Sequence, residues 1–150
     1  MARKQAGLSR KFLDLWQAPE GAGAPIAILA TSFTFDASFF EVECLGRFAG
    51  LQGRTGEGTA IGDLAYLLEL EERLADIDVT VLVDRSFQSE GHPLRFDVLP
   101  IGVRGGLLHA KTAVLVWERW VRVLFGSANL TAAGYRRQLE TMAAFEAHED

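Results

Sequence analysis

Two runs rich in β-branched and aromatic residues, 107–118 (LLHAKTAVLVWE) and 120–127 (WVRVLFGS), meet at the polar pair Glu118-Arg119. Such runs joined so tightly read as an antiparallel hairpin, which commits the last third of the chain to a β-sheet. The rest must supply further strands and a layer to cover them. Residues 26–33 (IAILATSF) are a continuous apolar run suited to a buried strand, 79–84 (VTVLVD) is β-branched, and 95–101 (RFDVLPI) and 140–147 (ETMAAFEA) read as shorter strands. Between them lie helical stretches. Asp36 is placed to cap a helix over ASFFEVECLGRF, and Asp63 stands near the start of one over GDLAYLLELEERLADID, with Leu64, Leu67, Leu68, Leu70 and Leu74 in mixed helical periodicity. Thr131 caps a short helix over 130–138. Residues 8–17 form an amphipathic helix with Ser9 as cap and Leu8, Phe12, Leu15 and Trp16 on one face, followed by the linker APEGAGAP. The fold class is α/β, a mixed β-sheet flanked by helices, with residues 1–25 as N-terminal helix and linker and 26–150 as one domain.

With 150 residues, 49% of them hydrophobic, the chain has enough apolar material for one core. Its net charge of −5 excludes a polyanion wrapped by the whole surface, so any nucleic acid must be held by a local patch. Cys44 is the single cysteine and has no partner for a disulfide, which fits a reducing, cytoplasmic setting. No run reaches the roughly 18 apolar residues of a membrane span. The expectation is a protein with no membrane partner.

One constellation carries chemistry. His109-Ala110-Lys111 is followed, eighteen residues after the lysine, by Asn129 within Gly126-Ser127-Ala128-Asn129. A neutral imidazole attacks phosphorus, an ammonium neutralises non-bridging oxygens and a carboxamide donates to them, so the set describes phosphoryl chemistry that requires neither metal nor cofactor. Strand alternation puts His109 and Lys111 on one side, and a turn at Glu118-Arg119 returns Asn129 to the level of His109. Gly126 and Ser127 are small enough for backbone to approach an anion, and the helix after Thr131 aims its N–H groups to the same end. His-x-Lys alone arises often, whereas adding Gly-Ser-x-Asn at fixed distance brings the chance below about one chain in ten thousand.

Plainer readings stand beside these. His109 as a half-buried strand histidine on a carbonyl, and Gly126-Ser127 as a strand-end turn, would need no ligand. His92 and His148 read as solvent-facing, Cys44 as core, and Trp117 and Trp120 as packing rather than base-stacking residues. Arg119, Arg122, Arg136 and Arg137 read as a solvated face before a phosphate grip.

The segment HAKTAVLVWERWVRVLFGSANLTAAGYRRQLE resembles the active-site region of the phospholipase D superfamily, and TSFTFDASFFEVECLGRF and VTVLVDRS are more weakly similar to its first strand, helix and a later strand. The resemblance covers roughly 26–146. Where the common family pattern has aspartate this chain has Val116, a departure shared with the tyrosyl-DNA phosphodiesterase branch. The resemblance implies a metal-independent phosphodiesterase using a phosphohistidine, with His109 as nucleophile or general acid and Lys111 and Asn129 on the phosphoryl oxygens. It further implies Ser127 as a phosphate donor or supporting group and Glu140 as a carboxylate holding a histidine ring. Nucleic acid is implied over lipid. The family sets two His-x-Lys motifs face to face, so this chain would be half of a bilobal or dimeric unit, completed by a homodimer partner or a longer chain with a further helix. The alternative is a non-catalytic module that binds phosphate or a nucleic-acid end within a larger assembly.

Overall fold

A computed structural model of the chain describes residues 11–51, 60–87 and 93–149. Its centre is a six-stranded sheet. The strands are β1 (Pro25–Ser32), β2 (Asp78–Asp84), β3 (Asp97–Ile101), β4 (Thr112–Trp117), β5 (Trp120–Gly126) and β6 (Met142–His148), in spatial order β3-β2-β1-β4-β5-β6. β1, β2 and β3 run parallel, and β1-β4, β4-β5 and β5-β6 are antiparallel. The expected α/β fold with a mixed sheet and flanking helices is thus the one observed. The hairpin turns where expected, with Trp117 opposite Trp120 and the turn N–H groups of Glu118 and Arg119 donating to the Ala24 and Ala22 carbonyls.

Helix α1 runs through three contiguous pieces, α-helical Ala37–Phe39, π-helical Phe40–Leu45 and α-helical Gly46–Phe48. Asp36 caps it by accepting from the Phe39 N–H at 3.0 Å, as its position suggests. Helix α2 spans Ala60–Leu74 and buries Tyr66, Leu70 and Leu74, one i, i+4 line. Leu64, Leu67 and Leu68, counted with the apolar set from the sequence, are exposed. The short helix α3 (Ala132–Arg136) is capped by the Thr131 hydroxyl, which accepts from the Gly134 N–H at 3.1 Å.

All of these elements pack on one face of the sheet. Ile28 and Ala30 of β1, Val79, Val81 and Val83 of β2, Ala113, Leu115 and Trp117 of β4 and Leu124 of β5 meet Phe39, Phe40, Leu45, Phe48 and Leu70 in a single core that includes Cys44. On the opposite face Leu29, Leu99, Phe125 and Phe145 remain 48%, 45%, 43% and 61% exposed, with the rings of Phe125 and Phe145 stacked at 5.2 Å.

The N-terminal segment differs from its expected amphipathic helix. Leu8 and Ser9 lie outside the described residues, and Phe12–Trp16 is a 3-10 turn that buries Leu13 and Trp16, one three-residue turn apart. Arg122, read from sequence as solvated, is 3% exposed: its guanidinium donates to Glu146 and to the carbonyls of Leu15 and Gln17. It points inward because Leu124, two residues on, faces the core.

Candidate active site

The motif residues gather where β1 and β2 end and β4 begins. His109 is not on a strand: the ladder starts at Thr112, although the Gly126 N–H still donates to the Lys111 carbonyl at 3.1 Å. The strand expected from residue 107 is shortened because the chain leaves β4 and crosses the end of the sheet. The Thr31 hydroxyl of β1 donates to the Ala110 carbonyl at 3.0 Å, and the Asp84 carboxylate at the end of β2 accepts from the Leu108 N–H at 2.6 Å. The segment therefore passes from β4 over β1 to β2, with His109 between the two anchors.

Lys111 nevertheless meets His109. Its Nζ lies 3.1 Å from Nδ1 and 3.2 Å from Nε2 of the ring and donates to the His109 carbonyl at 2.9 Å. An ammonium only donates, so the ring nitrogen it engages is the acceptor, and which one that is follows the tautomer. Burial lowers the Lys111 pKa, and the charge of Glu140 partly offsets that by raising it. The cost of holding the ammonium is relieved as pH rises through this lowered value, so stability climbs with pH from there to the unfolded-chain value of about 10.4. Glu140→Gln removes the favourable charge. The Lys111 pKa is then expected to fall further, read from its side-chain NMR titration, and an unmoved titration would disprove the coupling.

Asn129 is turned by the end of β1. Its Oδ1 accepts from the backbone N–H groups of Phe33 at 3.2 Å and Thr34 at 3.3 Å and lies 3.3 Å from the Ser32 hydroxyl. Two backbone donors require an oxygen there, which fixes the amide orientation and sends Nδ2 the other way, with no bond to a described residue. The Phe33 ring lies 5.1 Å from the His109 ring, so one residue touches both motif halves.

The remaining sequence candidates take supporting places. Ser127 exchanges bonds with the residue after Glu140: its N–H donates to the Thr141 carbonyl and its hydroxyl accepts from the Thr141 N–H, both at 3.0 Å. A Cβ on Gly126 would collide with the same Thr141 carbonyl, so closeness to the start of β6 by itself demands the glycine. Glu140 makes no hydrogen bond to His109; its described interaction is with the Lys111 charge. The expected N–H array of α3 is partly spent on its own cap, since Gly134 donates to Thr131. Val116 sits on β4 four residues beyond Thr112, roughly 13 Å at strand spacing, so the position lies outside the group around Lys111.

Sequence reasoning missed Thr31, Ser32 and Asp84. Alternation along β1 places Ser32 with Ile28 and Ala30, and a hydroxyl driven into a core needs partners. It finds them in the Thr34 carbonyl at 2.6 Å and the Leu130 N–H at 2.9 Å. Among the described residues no three His, Cys, Asp or Glu side chains gather into a set able to hold a metal ion, and no helix is long and apolar enough to cross a membrane.

No protein-family model matches the sequence, and no curated protein matches it. Among solved structures, a mutant of yeast tyrosyl-DNA phosphodiesterase is similar with a TM-score of 0.48 and 9% identity, over 90% of this chain and 26% of that one. NucT from Helicobacter pylori is similar with a TM-score of 0.45 and 15% identity, over 87% of this chain and 73% of that one. The chain thus spans about a quarter of the length of the yeast protein.

Proposed function

We propose that the chain carries one half of a phospholipase D-like site, a metal-independent phosphodiesterase acting on nucleic acid and completed by a second His-x-Lys motif from a longer chain or a second copy. The observation that supports this most is the double contact of Phe33, whose N–H orients Asn129 and whose ring packs on His109 while Lys111 touches the imidazole. A nucleophile, a cation and an outward-facing amide donor are thereby linked through one residue.

In this reading an unprotonated nitrogen of His109 attacks phosphorus, the P–N bond forming as the P–O bond to the leaving group breaks. The histidine of the second motif gives the leaving oxygen its proton, then takes one from water, whose oxygen attacks phosphorus and releases His109. Lys111 and the Asn129 Nδ2 hold the non-bridging oxygens, and Ser127 keeps Glu140 close to Lys111. Val116 in place of aspartate favours nucleic acid over lipid. A second reading, phosphate-end binding without turnover, draws on the contact of Lys111 with the ring nitrogens, because the nucleophile is engaged until an anion draws the ammonium away.

The test is hydrolysis of bis-p-nitrophenyl phosphate in chelator by the chain and by its two-motif assembly, followed by mass analysis after a neutral or alkaline quench. The expected result is a phosphoryl adduct on His109 that is absent in His109→Ala. Hydrolysis unchanged in His109→Ala sinks the assignment of His109 as nucleophile and with it the phosphohistidine route, and a bound anion without adduct or turnover selects the binding module.

A further inference from the structure

Asp84 is 2% exposed and lies 24 residues before Leu108. Its two oxygens do different work. Oδ1 accepts from the Ser86 N–H at 2.9 Å and the Ser86 hydroxyl at 2.5 Å, closing the turn that ends β2. Oδ2 turns away from that local turn and reaches the Leu108 N–H at 2.6 Å, across the end of β1. Three donors face one carboxylate, a charge-assisted arrangement that an amide cannot reproduce, because an NH2 group in either place would face another donor.

This bond matters because the neighbouring backbone has left its ladder. From Leu108 to Ala110 no strand pairing holds the chain, yet His109 must present its ring against Phe33 and Lys111. The only side-chain bonds to this stretch of backbone from outside the motif, among the described residues, come from Asp84 one position before His109 and from Thr31 one position after it. A segment pinned at both neighbours has little freedom to rotate the residue between them.

We infer that Asp84 is a positioning residue for His109, fixing the imidazole by clamping the Leu108 amide against the end of β2. It touches no substrate and acts through the backbone. The inference deepens the phosphodiesterase reading in saying why His109 is aimed, and it rests on that reading only for the kinetic part of its test.

The experiment uses the full chain, isotopically labelled, as wild type, Asp84→Asn and Ser86→Ala. In Asp84→Asn the Leu108 amide is expected to lose hydrogen-exchange protection by on the order of 10-fold or more, and the His109 ring resonances to move toward rotamer-averaged positions. Ser86→Ala, which removes only a bond to Oδ1, leaves both near wild type. In the two-motif assembly Asp84→Asn lowers kcat by about 10²-fold with KM changed far less, since a misplaced nucleophile harms the reacting geometry before it harms binding. Unchanged His109 ring signals in Asp84→Asn overturn the inference whether or not hydrolysis is seen. Equal disturbance of the ring by Ser86→Ala also overturns it, by showing that the turn and not the Leu108 bond matters. Failure of the phosphodiesterase reading is separate: it appears as hydrolysis independent of His109, and the NMR arm still decides on Asp84.

Discussion

Asn129→Asp is expected to lower kcat/KM of the two-motif assembly by about 10²- to 10³-fold while leaving the melting temperature close to that of the wild type. The two halves of the carboxamide have separate employment. Oδ1 accepts from the Phe33 and Thr34 N–H groups, and an aspartate oxygen accepts from them equally well. The Ser32 hydroxyl has one proton and its shorter bond goes to the Thr34 carbonyl, so the backbone pair are the firm donors to Asn129. In the proposed phosphodiesterase reading the other half, Nδ2, is what a phosphate oxygen meets. Replacing it by a carboxylate oxygen turns a donor into a negative charge beside the substrate's own. Asn129→Ala behaves differently: it strands two backbone donors, at a cost of about 1–3 kcal/mol, and so confounds folding with function. Activity assays and thermal melts on the two variants side by side separate these effects. Full activity in Asn129→Asp would remove Asn129 from the phosphate site.

What the sequence disclosed follows from how local each cause is. The hairpin turn at Glu118-Arg119 and the caps at Asp36 and Thr131 depend on neighbours within three or four residues, and all three stand where local chemistry puts them. The strands of β1, β2, β4 and β5 are also legible, because β-branched runs have few alternatives. The departure of His109 from the strand was not legible, since the side chains that bond the segment off the ladder, Asp84 and Thr31, stand 24 and 79 residues from the atoms they hold. Lys111 still meets His109, but by curling back onto its ring and carbonyl rather than by strand alternation. Gly126 stands out in the sequence for its small size, and one neighbour that needs that size, the backbone of Thr141, comes at the start of a strand the local sequence does not place beside it. Arg122 misled because charge suggests solvent, whereas its donors are consumed by a carboxylate and two carbonyls brought from the other end of the chain.

The largest stability effect is expected from Trp16→Ala, a loss of about 3–5 kcal/mol in chemical denaturation. Trp16 is fully buried, its ring packs edge-on against Phe40 at 5.7 Å, and its Nε1–H donates to the Tyr135 hydroxyl at 3.3 Å. Truncation leaves a cavity in the core and takes the donor from Tyr135, whose phenol pKa burial already pushes up. Trp16→Phe keeps most of the volume and loses the hydrogen bond, so it should cost less, with about 1 kcal/mol attributable to that bond. The consequence reaches the candidate site, because Tyr135 stands on α3 beside Gly134, where an added Cβ would lie 2.6 Å from the Asn129 carbonyl oxygen. Loosening the Trp16–Tyr135 contact gives that helix room to shift, and the backbone of Asn129 packed on it moves as well. The same 3-10 turn supplies the Leu15 carbonyl that receives Arg122 and runs straight into Gln17, which supplies the other, so its detachment would also leave a buried guanidinium with Glu146 as its remaining acceptor. A Trp16→Ala loss below about 1 kcal/mol would contradict this and make residues 12–16 an appendage to a domain that starts at β1; a loss in the expected range makes them part of the core that positions Asn129.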